Sequence, residues 1–315
     1  MSFSHQVKNE LARIMPPKNC CCLAEFSALL RAGGTLRISA GQPPSFYVTT
    51  DNAAVARHVF RLGKSVHSWP PELLVQRQER LQKQNRYQVW LTLPDFRDPI
   101  LQQLGIIRGR RVYEGIRRSL VRRQCCQRAY LRGIFLGCGS ITNPETAYHL
   151  ELVLSSEGYA QEVIGLLNRV GLQARVNLRK QMQVVYLKEA EQIASLLRLI
   201  GAHRALLHLE DIRVLKEVRN QVNRLVNCDT ANVEKAVSTG LRQAQNITFI
   251  ADKVGLDWLP SSLRQMAEVR LAYPEASLKE LGDLMEPKLG KSGVNHRLRR
   301  LEEIAEELRG GKGKE

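Results

Sequence analysis

The sequence predicts an α+β domain built by duplication, followed by an all-α domain. Three observations predict it. Ala28, Ala32 and Gly33 recur as Gly133, Gly137 and Cys138, an offset of 105 residues. The vicinal pairs Cys20-Cys21 and Cys125-Cys126 repeat the same offset of 105. Beyond Leu209, strand-like alternation gives way to helical spacing alone.

Each element has a local reason. Ser4 to Ile14 reads as a helix stopped by Pro16-Pro17, and Cys21 to Arg31 as a helix ending at the C-terminal glycine signal Gly33-Gly34. Thr35 to Ala40 alternates, with Leu36, Ile38 and Ala40 on one face, and reads as a half-buried strand. Phe46 to Thr50 returns after the Gly41-Gln42-Pro43-Pro44 turn. Asn52 to Leu62 is helical. Leu73 to Arg80 and Tyr87 to Leu93 form a hairpin around Lys83-Gln84-Asn85, and Asp95 to Leu104 is a further helix. The order recurs: Cys126 to Leu136 helix, Tyr148 to Leu154 strand, Glu157 to Val170 helix, Arg175 to Arg179 and Val184 to Leu187 strands, Glu189 to Ile200 helix.

Then Ile212, Leu215, Val218, Val222 and Leu225 recur every three or four residues as one amphipathic helix, with Thr230 to Ala244 a second. The expected domains are 1–205 (repeats of about 1–105 and 106–205), a helical connector 206–226, and a helical domain 227–315.

A chain of 315 residues is long for one domain and natural for two, and 43% hydrophobic content supports real cores. The net charge of +16 favours a polyanionic partner. Residues 1–205 hold 29 Lys and Arg against 14 Asp and Glu, whereas 206–315 hold 18 against 17, so the electrostatic footprint lies mainly in the first two-thirds. Arg108, Arg110, Arg111, Arg117, Arg118, Arg122, Arg123 and Arg128 crowd the junction between repeats, with Glu114 the only acid. That segment reads either as a solvated linker or as a phosphate-contacting strip.

Met1 to Gln6 is polar and no apolar run approaches the ~20 residues of a membrane span, which predicts a cytoplasmic protein with no membrane partner. Seven cysteines in this setting read as reduced thiols. No CxxC is present, and His203 and His208, five apart, do not share a helical face. The cysteines therefore read as small, buried, helix-starting residues. No metal, cofactor or small-molecule substrate is expected.

Ala28 and Ala32 lie one turn apart on the first motif helix, as do Gly133 and Gly137 on the second. Small residues at that spacing let two helix backbones approach closely. Glycine inside a helix costs about 0.5–1 kcal/mol against alanine, so Gly133 needs such a reason. The stretches Phe26-Ser27-Ala28-Leu29-Leu30-Arg31-Ala32-Gly33-Gly34-Thr35 and Leu131-Arg132-Gly133-Ile134-Phe135-Leu136-Gly137-Cys138-Gly139-Ser140 resemble the LAGLIDADG motif of homing endonucleases. In that family two central helices meet through small residues, and an acid next to last in each motif binds divalent metal for phosphodiester cleavage. Here those positions are Gly33 and Cys138, and the earlier acid of the motif corresponds to Arg31 and Leu136.

Magnesium needs hard oxygen ligands, which glycine and a thiol do not supply. Glu25 lies more than two turns before Gly33 and does not substitute. The expectation is a nuclease-like frame that does not cut. The outward strand faces of that fold form a saddle over duplex DNA. Arg37, Arg77, Arg175, Asn177 and Arg179 fall on polar strand faces and are the accessory DNA contacts expected, with a solvated sheet as the alternative.

In the C-terminal part, Ser262 and Gln265 have capping-box spacing before Leu263 to Ala272, and Ser277-Leu278-Lys279-Glu280 repeats it. The second box opens a short helix with Leu278, Leu281 and Leu284 inward. After the breaker-rich turn Met285 to Gly290, Ser292 opens a long helix with an apolar stripe of Val294, Leu298, Leu301, Ala305 and Leu308. Its other face shows Ser292, Asn295, His296 and Arg299, with Lys288, Lys291, Arg297 and Arg300 near phosphate reach. Glu302, Glu303, Glu306 and Glu307 gather at the far end. This is a helix-turn-helix design over 277–309, presenting base-edge donors from a helix N-terminal half; a structural three-helix bundle is the alternative.

The pairing resembles the WhiA family of bacterial regulators. The resemblance rests on Cys125-Cys126-Gln127-Arg128-Ala129-Tyr130-Leu131-Arg132-Gly133, on Arg219-Asn220-Gln221-Val222-Asn223-Arg224 with Asn227-Cys228-Asp229, and on Leu289-Gly290-Lys291-Ser292-Gly293-Val294-Asn295-His296-Arg297-Leu298. It implies sequence-specific binding of promoter DNA, a role in transcription for sporulation or growth, links to cell division and chromosome segregation, nucleoid association, and contact with other transcription or division proteins. The alternatives are a division-associated nucleoid factor without promoter selectivity and a residual homing endonuclease.

Overall fold

The computed structural model describes residues 1–38, 43–66, 71–77, 85–93, 98–108 and 111–310. The chain divides into two compact units, Met1–Leu215 and Lys216–Glu315. The first holds α1 (Phe3–Leu11), α2 (Asn19–Gly33), β1 (Gly34–Arg37), β2 (Ser45–Thr50), α3 (Ala53–Val66), β3 (Glu72–Arg77), β4 (Asn85–Thr92) and α4 (Pro99–Gln103). A short hairpin, β5 (Ile107–Arg108) and β6 (Arg111–Val112), and a 3-10 turn (Arg118–Val121) lead into the second repeat. There α5 (Gln124–Cys138), β7 (Gly139–Ile141), β8 (Leu150–Leu154), α6 (Glu157–Arg169), β9 (Arg175–Arg179), β10 (Met182–Leu187) and α7 (Ala190–Ile200) follow.

The duplication is exact in topology. The sheets are antiparallel with orders β1-β2-β4-β3 and β7-β8-β10-β9. Helices α2 and α5 are both 15 residues long and start 105 residues apart. Both are apolar on nearly all sides, the pattern of a helix surrounded by core, and they make the most extensive element-to-element contact among the described residues. One continuous hydrophobic core runs from Phe3 through both repeats to Leu209.

Several local expectations change. Gly33-Gly34 and Gly139 do not end their helices through left-handed backbone: Gly34 and Gly139 have φ of −95° and −78°. They are glycine because a Cβ on Gly34 would lie 2.3 Å from the Leu30 carbonyl oxygen, and one on Gly139 would lie 2.5 Å from the Phe135 ring. The left-handed glycine stop does occur at Gly201, with φ +96° after α7. Strand β1 ends at Arg37, so Ile38 lies beyond it and is exposed. Residues expected at 39–42, 78–84 and 95–97 lie outside the described residues.

The helix expected over the connector and the second helix after it are one element, α8 (His203–Val254), 52 residues long. Asn227-Cys228-Asp229 does not break it, because such residues cost a helix interior only a few tenths of a kcal/mol. Of the apolar series read on it, Ile212 is buried, while Leu215, Val218, Val222 and Leu225 are exposed.

The second unit adds α9 (Ser261–Ala272), α10 (Leu278–Asp283) and α11 (Lys291–Arg309). Its core joins Ile247 and Ile250 of α8 to Met266, Leu281, Val294, Leu298, Leu301 and Ala305. The Pro274 carbonyl sits where a Cβ on Gly240 would be, so α8 is glycine at the close approach of the α9–α10 loop. Buried Arg270 ties that loop by donating to the Ala276 carbonyl at 2.7 Å. The capping box expected at Ser262 is absent: α9 begins at Ser261, two residues before the expected Leu263, and the Gln265 side chain instead donates to the Glu286 carbonyl.

Candidate nucleic-acid interface

The second capping box is complete. Ser277 accepts from the Glu280 N–H and Glu280 accepts from the Ser277 N–H, fixing the start of α10. The chain then folds back: the Leu289 N–H donates to the Gly282 carbonyl at 3.0 Å, and a Cβ on Gly282 would lie 2.2 Å from the Leu289 carbonyl oxygen. Only glycine permits that closeness, so the turn into α11 is tight. Leu281 is buried as expected, whereas Leu284 is exposed because the turn carries it outward and Met285 takes the core position.

On α11, Val294, Leu298, Leu301, Ile304 and Ala305 are buried, which sets the opposite face toward solvent. Lys291, Ser292, Asn295, His296 and Arg299 lie there, all exposed. Among the described residues no hydrogen bond or ion pair engages the side chains of Asn295, His296 or Arg299. Arg297 and Arg300 differ. Arg297 is half-buried and donates to the Ser262 carbonyl at 3.2 Å, bracing α11 against α9. Arg300 pairs with Glu303 at 2.7 Å and Glu307 at 3.9 Å. Glu306 and Glu307 in the last turn oppose the macrodipole, while Glu302 and Glu303 pair with Arg242 and Arg300. They leave the N-terminal half of α11 positive.

In the first unit the motif helices meet as backbone against backbone. A Cβ on Gly133 would lie 2.3 Å from the Glu25 carbonyl oxygen and 2.9 Å from the Ala28 Cβ. One on Gly137 would lie 3.1 Å from the Ala32 Cβ, and one on Gly33 would lie 2.9 Å from the Gly137 Cα.

The C-terminal ends of the two helices, where the nuclease family carries its acids, are cationic here. Burial pushes the Cys138 thiol up to about 12, while the nearby Lys8 ammonium acts in the opposite sense. Burial pushes Lys8 down, though Cys138 and Asp51 oppose the shift. Arg31 donates to the Tyr113 carbonyl at 2.8 Å and stacks 5.3 Å from the Tyr159 ring. Lys8 and Arg31 are thus the basic side chains near these helix ends.

A buried polar network that was not expected joins the repeats. Glu25 of α2, fully buried, accepts from Arg132 of α5 at 2.9 Å and contacts His58 Nε2 of α3 at 2.7 Å. Arg132 also donates to the Ile200 carbonyl at the end of α7, and Ser27, its counterpart 105 residues earlier, donates to the Leu104 carbonyl after α4. The equivalent of Glu25 is Tyr130, whose hydroxyl meets that of Tyr159 at 3.2 Å; burial raises Tyr130 to about 12. The available signal was one acid and one base, Glu25 and Arg132, each set inside an apolar helix of opposite repeats.

The sheet faces divide by register. Arg175 lies opposite Tyr186, Asn177 opposite Val184 and Arg179 opposite Met182, on the face away from buried Leu150, Leu152 and Leu154. Arg37 lies on the matching outer face of the first sheet, its guanidinium 5.9 Å from the Trp90 ring. Arg77 does not join it: its register position opposite Asn85 follows Leu73 opposite buried Val89, the other parity of β3. Arg179 is 3.6 Å from Glu151. The basic junction is no bare linker. Ile116, Leu120 and Val121 are buried while Arg108, Arg111, Arg117, Arg118, Arg122, Arg123 and Arg128 are exposed; Arg110 lies outside the described residues.

Three family models match consecutive parts of the chain: the WhiA N-terminal LAGLIDADG-like domain over residues 19–107, the WhiA LAGLIDADG-like domain over 127–219 and the WhiA C-terminal HTH domain over 222–305. The chain is 51% identical to "Probable cell division protein WhiA" of Heliobacterium modesticaldum, over 97% of this chain and 96% of that one. It is 49% identical to the protein of the same name in Desulforamulus reducens, over 99% and 98%. Among solved structures, full-length DUF199/WhiA from Thermatoga maritima aligns with a TM-score of 0.61 at 26% identity, covering 97% of this chain and 98% of that one. The N-terminal LAGLIDADG domain of DUF199/WhiA aligns at 0.50 and 21%, covering 64% and 90%. With the duplicated α+β unit and the helix-turn-helix unit both accounted for, the chain belongs to the WhiA family.

Proposed function

We propose that this protein is a non-enzymatic, sequence-specific DNA-binding regulator that reads promoter DNA through α11. The observation that carries the reading is the exposed, unengaged face of Asn295, His296 and Arg299 behind a tight turn, on a helix whose acids sit at the far end. Asn and Arg match the acceptor and donor pattern of major-groove base edges. Lys291 and Ser292 at the helix start, with Arg297 and Arg300 beside the face, contact phosphates in this reading. Arg37, Arg175, Asn177 and Arg179 add backbone contact from the outer sheet faces, whereas the register of Arg77 argues against it. The duplicated frame (1–205) supplies grip without scission, because Gly33 and Cys138 replace oxygen ligands and Lys8 and Arg31 stand nearby.

The relatives' name points to cell division. Roles in chromosome segregation and sporulation, with a cytoplasmic, nucleoid-associated location, extend the same proposal. The exposed arginines of the junction favour a second reading, a nucleoid factor that binds DNA without promoter selectivity. Binding of the full chain to a randomised duplex library separates the two. Enrichment of one motif is expected; equal recovery of all sequences, with steep salt dependence, would favour the second. Supercoiled plasmid incubated with the chain and Mg2+ or Mn2+ should stay intact, and nicking would overturn the non-enzymatic reading.

A further inference from the structure

The vicinal cysteine pairs, 105 residues apart in sequence, meet in space. The Sγ atoms of Cys20, Cys21, Cys125 and Cys126 all lie within 4.8 Å of one another. Within each pair the separation is 4.0 Å. Four thiolates around zinc at 2.3 Å form a tetrahedron with edges of about 3.8 Å, so the four sulfurs need only a small contraction to enclose an ion.

We propose that these four cysteines form a tetrathiolate site for Zn2+ that clips the two repeats together at the N-terminal ends of α2 and α5. Neither repeat can build it alone, since each supplies two ligands. Zinc, with no d-electron geometric preference, suits a site whose shape is set by two helices rather than by one loop. Burial pushes the Cys21 and Cys126 thiols up, so the ion itself must draw off their protons. The cysteines occupy the first turns of their helices, where backbone N–H groups carry partial positive charge. The N-cap residues, Lys18 and Arg123, make no side-chain cap; their carbonyls accept from the Cys21 and Cys126 N–H groups.

A cleft of about 540 Å³ reaches Cys21 and Cys125, lined also by Lys18, Arg128 and Arg198. Cys20 and Cys125 are only half-buried, which gives an ion entry. Binding is a proton exchange without redox: four S–H groups release four protons to solvent, and the dianionic tetrathiolate is offset by the surrounding lysine and arginines. The other three cysteines stand apart. Cys22 donates to the Pro16 carbonyl, Cys138 ends α5 and Cys228 is exposed on α8. The inference does not depend on how DNA is read.

Cobalt titration of the full-length, reduced, metal-stripped chain tests it. One equivalent of Co2+ should give the near-ultraviolet sulfur-to-cobalt charge-transfer band and the intense visible bands of a tetrahedral tetrathiolate. Zn2+ should bleach them and Mg2+ should not. Cys22→Ser, Cys138→Ser and Cys228→Ser should keep the spectrum, and Cys20→Ser/Cys125→Ser should lose it. The wild-type spectrum decides even if that double variant folds poorly. In a parallel melt, Zn2+ but not Mg2+ should raise the unfolding temperature of the wild type. Absence of the charge-transfer band in the wild type, its survival in the double variant, or a disulfide between the two pairs in protein isolated anaerobically would overturn the proposal.

Discussion

The duplicated unit and the helix-turn-helix unit place their informative residues in opposite environments. In the first, Glu25, Ala28, Gly133 and Tyr130 are buried, and they hold two repeats together. In the second, Asn295, His296 and Arg299 are exposed, and among the described residues nothing engages their side chains. The first unit packs two small-residue helices backbone against backbone, and its buried residues answer for stability. The second carries a face whose residues answer for binding. Substitutions in the two units should therefore move different observables.

The largest effect is expected at the buried network. Glu25→Leu leaves the Arg132 guanidinium, 8% exposed, without its counter-charge, and should cost about 3–5 kcal/mol in chemical denaturation. Gly133→Ala follows. Its methyl would lie 2.3 Å from the Glu25 carbonyl oxygen, and forcing the helices apart should cost about 3 kcal/mol despite alanine's better helix propensity. If either variant melts like wild type, the helix pair is not the stabilising element.

Asn295→Ala and Arg299→Ala should each leave the unfolding curve unchanged and cost about 1–3 kcal/mol of specific DNA binding, with relaxed base preference, in a titration against matched and mismatched duplexes. Arg175→Ala and Arg179→Ala should be milder. Each should weaken binding by about 1 kcal/mol or less, evenly across sequences, and lower the salt slope by about one. The smallest effect sharpens the contrast with Gly133. A Cβ on Gly165, in α6, meets nothing within 4 Å, so Gly165→Ala should be neutral or stabilise by about 0.5–1 kcal/mol.

Much of this was legible in the sequence, for identifiable reasons. The repeat showed itself because close helix packing demands small residues at fixed spacing, and the demand falls equally on Ala28, Ala32, Gly133 and Gly137. Ser277 and Glu280 marked α10 because a capping box is a local device. What depended on distant partners was not legible. Ser262 has the same spacing to Gln265, but Gln265 is drawn to the Glu286 carbonyl, 21 residues away. The parity of Arg77 follows from the register of β3 on β4, which no single strand reveals. Leu284 fits a helical stripe, yet the turn after α10 spends its place on Met285. Within either segment alone the cysteines show no ligand spacing. Their assembly follows from the same 105-residue symmetry that brings the glycines together, applied to the other end of the helices.

Genome-wide DNA occupancy of the wild type and Asn295→Ala, mapped side by side at equal expression, tests the division of labour most directly. Sharp promoter peaks for the wild type that flatten in the variant, with protein level and melting temperature unchanged, are the predicted result. Identical peaks for both chains would contradict the assignment of sequence reading to α11.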